Sequence, residues 1–127
     1  GGKDESAPAR HILIVEDNVD GRESLVTLLG LLGHRVDAVE DGRRGVAAAL
    51  SLRPEVALID IHMPGIDGYE VARQVRQALG GGVFLVAMTG SGQPDDRAKA
   101  AEAGFDAHLL KPVELAVLQK LLADRRP

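Results

Sequence analysis

The sequence predicts an α/β fold, a (βα)5 doubly wound parallel sheet. Three observations carry that expectation. Short apolar runs recur without alternating polar residues, the mark of strands buried on both faces. Between them lie segments whose apolar residues follow helical spacing. Strands joined in this way by helices run parallel and need right-handed crossovers.

The first run is Ile12-Leu13-Ile14-Val15. A helix follows, with Leu25, Leu28, Leu29 and Leu32 on one face and Gly33 as its stop. Arg35 to Val39 is a weaker strand, interrupted by Asp37, and suits a sheet edge. Val46, Ala49 and Leu50 mark the second helix, which ends before Pro54. Val56-Ala57-Leu58-Ile59 is the next buried strand. Asp67 reads as the N-cap of a third helix carrying Val71, Val75 and Leu79, closed by Gly80-Gly81-Gly82. Val83-Phe84-Leu85-Val86-Ala87 is another buried strand. Pro94 suits the first turn of a fourth helix, with Asp95 and Asp96 favourable to its dipole and Gly104 at its end. Ala107 to Leu110 is a short edge strand, and Leu115, Leu118, Leu121 and Leu122 outline the last helix. Three buried centres and two weak edges fit strand order 2-1-3-4-5, the flavodoxin-like order, in which ligands bind beyond the carboxyl ends of the strands.

Composition narrows the chemistry. At 127 residues, one compact domain is the expectation, burying roughly two-thirds of its unfolded surface. Residues 1–9 read as a disordered tag or linker, 10–124 as the domain and 125–127 as a tail. The chain has no Cys, which excludes disulfides, thiol catalysis and thiolate metal sites. It has no Trp, one Tyr and two Phe, so the core is aliphatic and base stacking is disfavoured. A net charge of -4 argues against direct nucleic-acid binding. No apolar run approaches a membrane span, and a cytoplasmic setting is the default.

The strand ends hold the informative residues. Glu16-Asp17 follow the first strand, Asp60 the third, Thr89 the fourth and Lys111-Pro112 the fifth. The fold brings these to one edge. Three adjacent carboxylates repel one another and need a cation. All-oxygen donors indicate a hard ion, Mg2+ best and Mn2+ next. A phosphoryl group between that ion, Lys111 and Thr89 would have its oxygens neutralised, and one carboxylate could act as nucleophile. Asp60, ending the most central strand, is the candidate. Each residue also has an ordinary reading: Glu16-Asp17 as helix caps, Asp60 as a turn residue, Thr89 in a flexible loop, Lys111 as a solvated lysine. Their joint placement at four strand ends argues against that set.

At these residues the sequence resembles the receiver domain of two-component response regulators, over Arg10 to about Asp124. Asp60-Ile61-His62-Met63-Pro64-Gly65-Ile66-Asp67-Gly68 is similar to the family's phosphoacceptor signature. Glu16-Asp17 match its acidic pair, Thr89 its switch hydroxyl and Lys111-Pro112 its terminal Lys-Pro. The resemblance implies that Asp60 accepts a phosphoryl group from a phosphohistidine on a sensor histidine kinase or histidine phosphotransfer domain. It implies Mg2+ ligation by Asp17 and Asp60, with Glu16 acting through water and the His62 backbone carbonyl as a further ligand. Lys111 would pair with the acceptor and then the phosphoryl oxygens, Thr89 would move toward them, and the Lys111–Pro112 bond would be cis. His62 and Ser91 would tune phosphoryl lifetime. Pro64 and Gly65 would shape the loop, Asp67 would cap a helix, and Gly68 would permit close backbone approach. The switch would act on the helix 4–strand 5–helix 5 face. His108 stands where the family usually has Tyr or Phe, which puts the aromatic switch in doubt and suggests a weaker or pH-sensitive coupling.

The segments Gly92 to Arg97 and Ala103 to His108 resemble receivers attached to hybrid sensor histidine kinases, and a stand-alone regulator is the other context. By itself the domain is expected not to be an enzyme beyond self-phosphorylation and slow autodephosphorylation, and to be a monomer or weak dimer. Three competing functions share parts of the pattern. A flavin-binding domain would need a phosphate loop where Glu16-Asp17 stand. An aspartyl-nucleophile, Mg-dependent phosphatase usually wants a carboxylate where His62 stands. A degenerate, non-phosphorylated docking receiver would normally lack one of the five key residues.

Overall fold

The structure is a computed structural model and describes residues 9–90 and 94–124. The strands are β1 (His11–Val15), β2 (Arg35–Val39), β3 (Val56–Asp60), β4 (Phe84–Thr89) and β5 (Ala107–Leu110). The helices are α1 (Val19–Leu31), α2 (Gly42–Leu52), α3 (Gly68–Leu79), α4 (Pro94–Ala103) and α5 (Leu115–Asp124), with a 3-10 turn at Gly80–Gly82. All strand pairs are parallel, in the order β2-β1-β3-β4-β5. This is the flavodoxin-like arrangement, and it puts the first and third strands side by side, so Val15 pairs with Ile59.

Strand geometry divides the aliphatic core into two layers. Leu13 and Val15 of β1 face one side of the sheet, where Ala49, Val71, Val75, Ala100 and Phe105 join them from α2, α3, α4 and the loop before β5. Ile12 and Ile14 face the other side, packing with Leu25, Leu29, Leu118 and Leu122 of α1 and α5. The central strands are buried on both faces, whereas β2 and β5 are only partly covered. The polar residue that interrupts β2, Asp37, accepts a 2.7 Å bond from His11 Nε2 on the neighbouring strand.

Two helix faces differ from the sequence expectation. Leu50 of α2 is 40% exposed, and the helix instead packs through Gly42, Gly45 and Ala49. A Cβ at Gly45 would lie 2.9 Å from a Val15 methyl, so small residues let α2 approach β1 more closely than leucines could. Leu115 of α5 is also exposed, while Leu118 and Leu122 enter the core. The cap of α1 is Asn18, whose Oδ1 accepts the Gly21 N–H at 2.8 Å; Glu16 and Asp17 do not cap it.

Candidate functional site

Five parallel strands point their carboxyl ends to one edge, which gathers residues from four of them. Glu16 directly follows β1, Asp60 ends β3, Thr89 ends β4, and Lys111 directly follows β5. Glu16, Asp60 and Thr89 are buried, at 1%, 3% and 2% exposure, although all three are polar. Glu16, Asp17 and Asp60 each offer a carboxylate oxygen, and these oxygens lie within 4.8 Å of one another. Lys111 Nζ bridges two of the three, 2.9 Å from Glu16 Oε1 and 3.3 Å from Asp60 Oδ2. The Lys111 N–H donates to the Thr89 carbonyl at 2.8 Å, and the Lys111–Pro112 peptide is cis.

One ammonium does not balance this cluster. Burial drives the Asp60 pKa upward, a hydrogen bond to Glu16 and its charge push it further, and Lys111 offsets only part, so Asp60 stands at about 7. For Glu16, burial also works upward, but hydrogen bonds from Asp60, Lys111 and the Asn18 N–H bring it below the usual carboxylate value. A proton is thus held more tightly at Asp60 than at Glu16. For Lys111, burial pulls the ammonium down, but its two carboxylate partners raise it above the usual lysine value. The cluster fits a small divalent cation: its donors are all hard oxygens, and its excess negative charge is what such an ion would neutralise.

Local sequence shapes the loop after Asp60. The Ile61 N–H continues the ladder to the Met88 carbonyl, and the Gly68 N–H turns back to the Ile61 carbonyl at 2.9 Å. A Cβ at Gly68 would lie 2.8 Å from Ile61 Cα and against the Asp60 carbonyl, so only glycine lets α3 start this close to Asp60. Gly65 takes φ of 80°, a left-handed value that completes the bend after Pro64. Asp67 Oδ1 accepts the Glu70 N–H at 3.0 Å, as a helix cap. His62 is exposed, and its N–H donates to Asp60 Oδ1 at 3.3 Å.

His108 opposes Ala87 within the sheet and lines a cavity of about 280 Å3 against α4, with Arg97 and Asp106. Nothing among the described residues lies within 4 Å of a Cβ placed at Gly90, and Ser91 lies outside the described residues. Another cavity, of about 360 Å3, opens beside Glu16 and Lys111 and is walled by Leu25, Leu28, Met88 and Val113. Arg22 was not a sequence candidate: its Nη1 donates to the Glu16 carbonyl at 3.0 Å. No motif marks it, and its only sequence signal is a cation one helical turn into α1.

Comparison with known proteins agrees with this geometry. The family model for the response regulator receiver domain matches residues 12–123. The response regulator MprA of Mycolicibacterium vanbaalenii is 36% identical over 115 residues, which is 91% of this chain and 48% of that protein. The sensor histidine kinase RcsC of Salmonella typhimurium is 33% identical over 112 residues, covering 88% of this chain and 12% of that protein. The chain thus spans half or less of these relatives. Among solved structures, the receiver domain of a Pseudomonas aeruginosa sensor histidine kinase, with a magnesium ion coordinated in its active-site cleft, superposes with a TM-score of 0.81 at 34% identity. That match covers 91% of this chain and 95% of that one. A Saccharomyces cerevisiae response regulator receiver, co-crystallised with its histidine phosphotransfer protein, gives 0.86 at 27% identity, covering 93% and 89%. A family model matched along nearly the whole chain, on a fold whose strand ends converge on an acidic edge, places this chain in the response regulator receiver domain family of two-component signalling.

Proposed function

We propose that Asp60 is the phosphoacceptor of this receiver and takes a phosphoryl group from a phosphohistidine on a sensor histidine kinase or histidine phosphotransfer domain. The observation that carries this reading is Asp60 itself: a buried carboxylate at the end of the central strand, 3.3 Å from Lys111 Nζ and within an acidic cluster. Glu16, Asp17 and Asp60 would hold Mg2+, or Mn2+ in its place, with the His62 backbone carbonyl as a further ligand and Glu16 acting through water. When bound, that ion supplies the positive charge that keeps Asp60 ionised and offsets the charge on the phosphoryl oxygens.

The chain's own residues do the rest. Asp60 Oδ forms the new bond to phosphorus as the P–N bond breaks. The bonding pair stays with the departing imidazole, which takes up a proton. Lys111, already bridging Glu16 and Asp60, turns its ammonium to a phosphoryl oxygen. Thr89 offers its hydroxyl to another. His62 and Ser91 tune the lifetime of the acyl phosphate, as the resemblance implies. The change reaches the α4–β5–α5 face, with His108 in the position of the usual aromatic switch.

Residues 10–124 form the working receiver; the linker and tail expected at the termini lie, but for residue 9, outside the described residues. It acts once per phosphorylation rather than turning over as an enzyme, in a cytoplasmic setting; among the described residues no helix is long and apolar enough to cross a membrane. A parent hybrid histidine kinase accords with the RcsC similarity. Intact-mass measurement after incubation with acetyl phosphate and Mg2+, and with a phosphorylated histidine phosphotransfer domain, tests the assignment. One phosphoryl adduct is expected, absent in Asp60→Asn. An adduct that persists in Asp60→Asn, or no adduct from either donor, overturns it.

A further inference from the structure

We propose that Arg22 is a positioning residue for the acidic cluster, fixing the peptide that carries Asp17 and so presenting that carboxylate to a divalent cation. The inference rests on the cation site proposed above.

The three carboxylates are not held alike. Glu16 is secured at both oxygens, Oε1 by Lys111 and Oε2 by the Asn18 N–H at 3.1 Å. Asp60 is held by Lys111 and by the His62 N–H. Asp17 is exposed, and its side chain has no hydrogen bond or ion pair among the described residues. Its position must come from the backbone. β1 has ended at Val15, and the last ladder bond here is the Glu16 N–H to the Val39 carbonyl at 3.1 Å.

The next peptide is the one that matters. A peptide unit is planar, so the direction of the Glu16 carbonyl sets the Asp17 N–H and Cα. That carbonyl accepts from Arg22 Nη1 at 3.0 Å, a charge-assisted bond. Arg22 is itself anchored, since its N–H donates to the Asn18 carbonyl at 2.9 Å. A Cβ at Gly21 would lie 3.7 Å from Glu16 Oε1, so this helical turn sits directly against the cluster. Residues 16–22 thus form a closed bracket with Asp17 at its open corner.

A positive charge beside a cation site lowers cation affinity by repulsion. Arg22 as a mere neighbouring charge therefore predicts tighter binding once it is removed. Arg22 as a positioning residue predicts weaker binding. The two accounts differ in sign.

The test is Mn2+ titration by calorimetry on the wild type, Arg22→Met, Arg22→Lys and Asp17→Asn, each first checked for folding by circular dichroism. Arg22→Met is expected to bind Mn2+ roughly tenfold more weakly, the low end of the range for second-layer partners of metal ligands. Arg22→Lys, which keeps a donor, recovers most of the affinity. Without metal, the Asn18 amide, which donates to Glu16 Oε2 in the wild type, exchanges its hydrogen faster in Arg22→Met. Arg22→Gln, two atoms shorter, replaces the Met variant if that one does not fold. Unchanged or tighter Mn2+ binding in the variant lacking the bond overturns the role of Arg22. A wild type whose Mn2+ affinity is indifferent to Asp17→Asn overturns the cation site instead, so the two failures are distinguishable.

Discussion

The two edges of the sheet are built on opposite electrostatic plans. At the amino-terminal edge, charge meets charge. Arg10 pairs with Glu55 at 3.7 Å, the His11 N–H donates to Glu55 Oε1, and His11 Nε2 meets Asp37. His34 accepts the Arg10 N–H on Nδ1 at 3.0 Å, and burial, aided by the Arg10 charge, lowers its pKa and favours the neutral ring that can accept. Arg76 closes the other half of this edge, donating to the Gly104, Gly80 and Val83 carbonyls and pairing with Asp106 at 2.7 Å. At the carboxyl-terminal edge, one ammonium bridges two of three clustered carboxylates. Among the described residues, one edge pairs its charges as folded, and the other keeps a surplus of negative charge. Function follows the imbalance.

The sharpest way to break this contrast is at Arg76. Arg76→Met removes a donor from three carbonyls and the cationic partner of Asp106, and should cost about 3 kcal/mol in chemical denaturation, with no loss of the phosphoryl adduct on Asp60. If phosphorylation were to fall as steeply as stability, the two edges would not be separable.

The second prediction concerns the unbalanced edge. The folded Asp60 pKa, about 7, lies above the ordinary 3.8. Between those values the folded chain holds a proton that the unfolded chain has released. Its contribution to stability is therefore fully present below about pH 4 and is lost as pH rises through 7. Glu16 has the opposite sign, and its window lies below its ordinary 4.5, so it does not mask the effect. Without divalent cations, Asp60→Asn should be more stable than the wild type at pH 8 by on the order of 1–2 kcal/mol. The two should converge as pH falls to 4, and Mg2+ should narrow the gap at pH 8 by binding only the wild type. Thermal unfolding across that pH range measures it.

The smallest effect sits beside the paired edge. Arg53, the cap residue of α2, takes φ of 48°, the one positive value for a non-glycine among the described residues. Arg53→Gly should raise stability by about 0.5–1 kcal/mol, because glycine adopts this conformation without the clash of a Cβ. A loss instead would mean that the arginine stem contributes contacts that outweigh the strain.

Much of this molecule was legible in its residues. Runs such as Ile12 to Val15 and Val56 to Ile59 can satisfy their burial only between two helical layers, so strand type and order followed. The carboxyl-terminal edge was legible too, because chemistry at strand ends depends on residue type and fold alone. What stayed hidden was side-chain reach. Gly42 and Gly45 carry no hydrophobic signal, yet they form the packing face that Leu50 was expected to supply. Arg22 and Arg76 look like any solvated arginine until their distances to backbone carbonyls are measured. The resemblance named the reacting groups but not the braces behind them.

The glycine contacts around Asp60 also set a mechanical direction. Gly68 seats α3 against the Asp60 and Ile61 backbone, and Gly42 seats α2 against Ile66, where an added Cβ would come within 2.6 Å of the Ile66 carbonyl. Close-packed contacts of this kind have low compressibility. Beyond β4, nothing among the described residues lies within 4 Å of a Cβ placed at Gly90. Asp60 thus has a stiff wall on the side of α2 and α3. A group bulky enough to displace its surroundings meets its strongest resistance there.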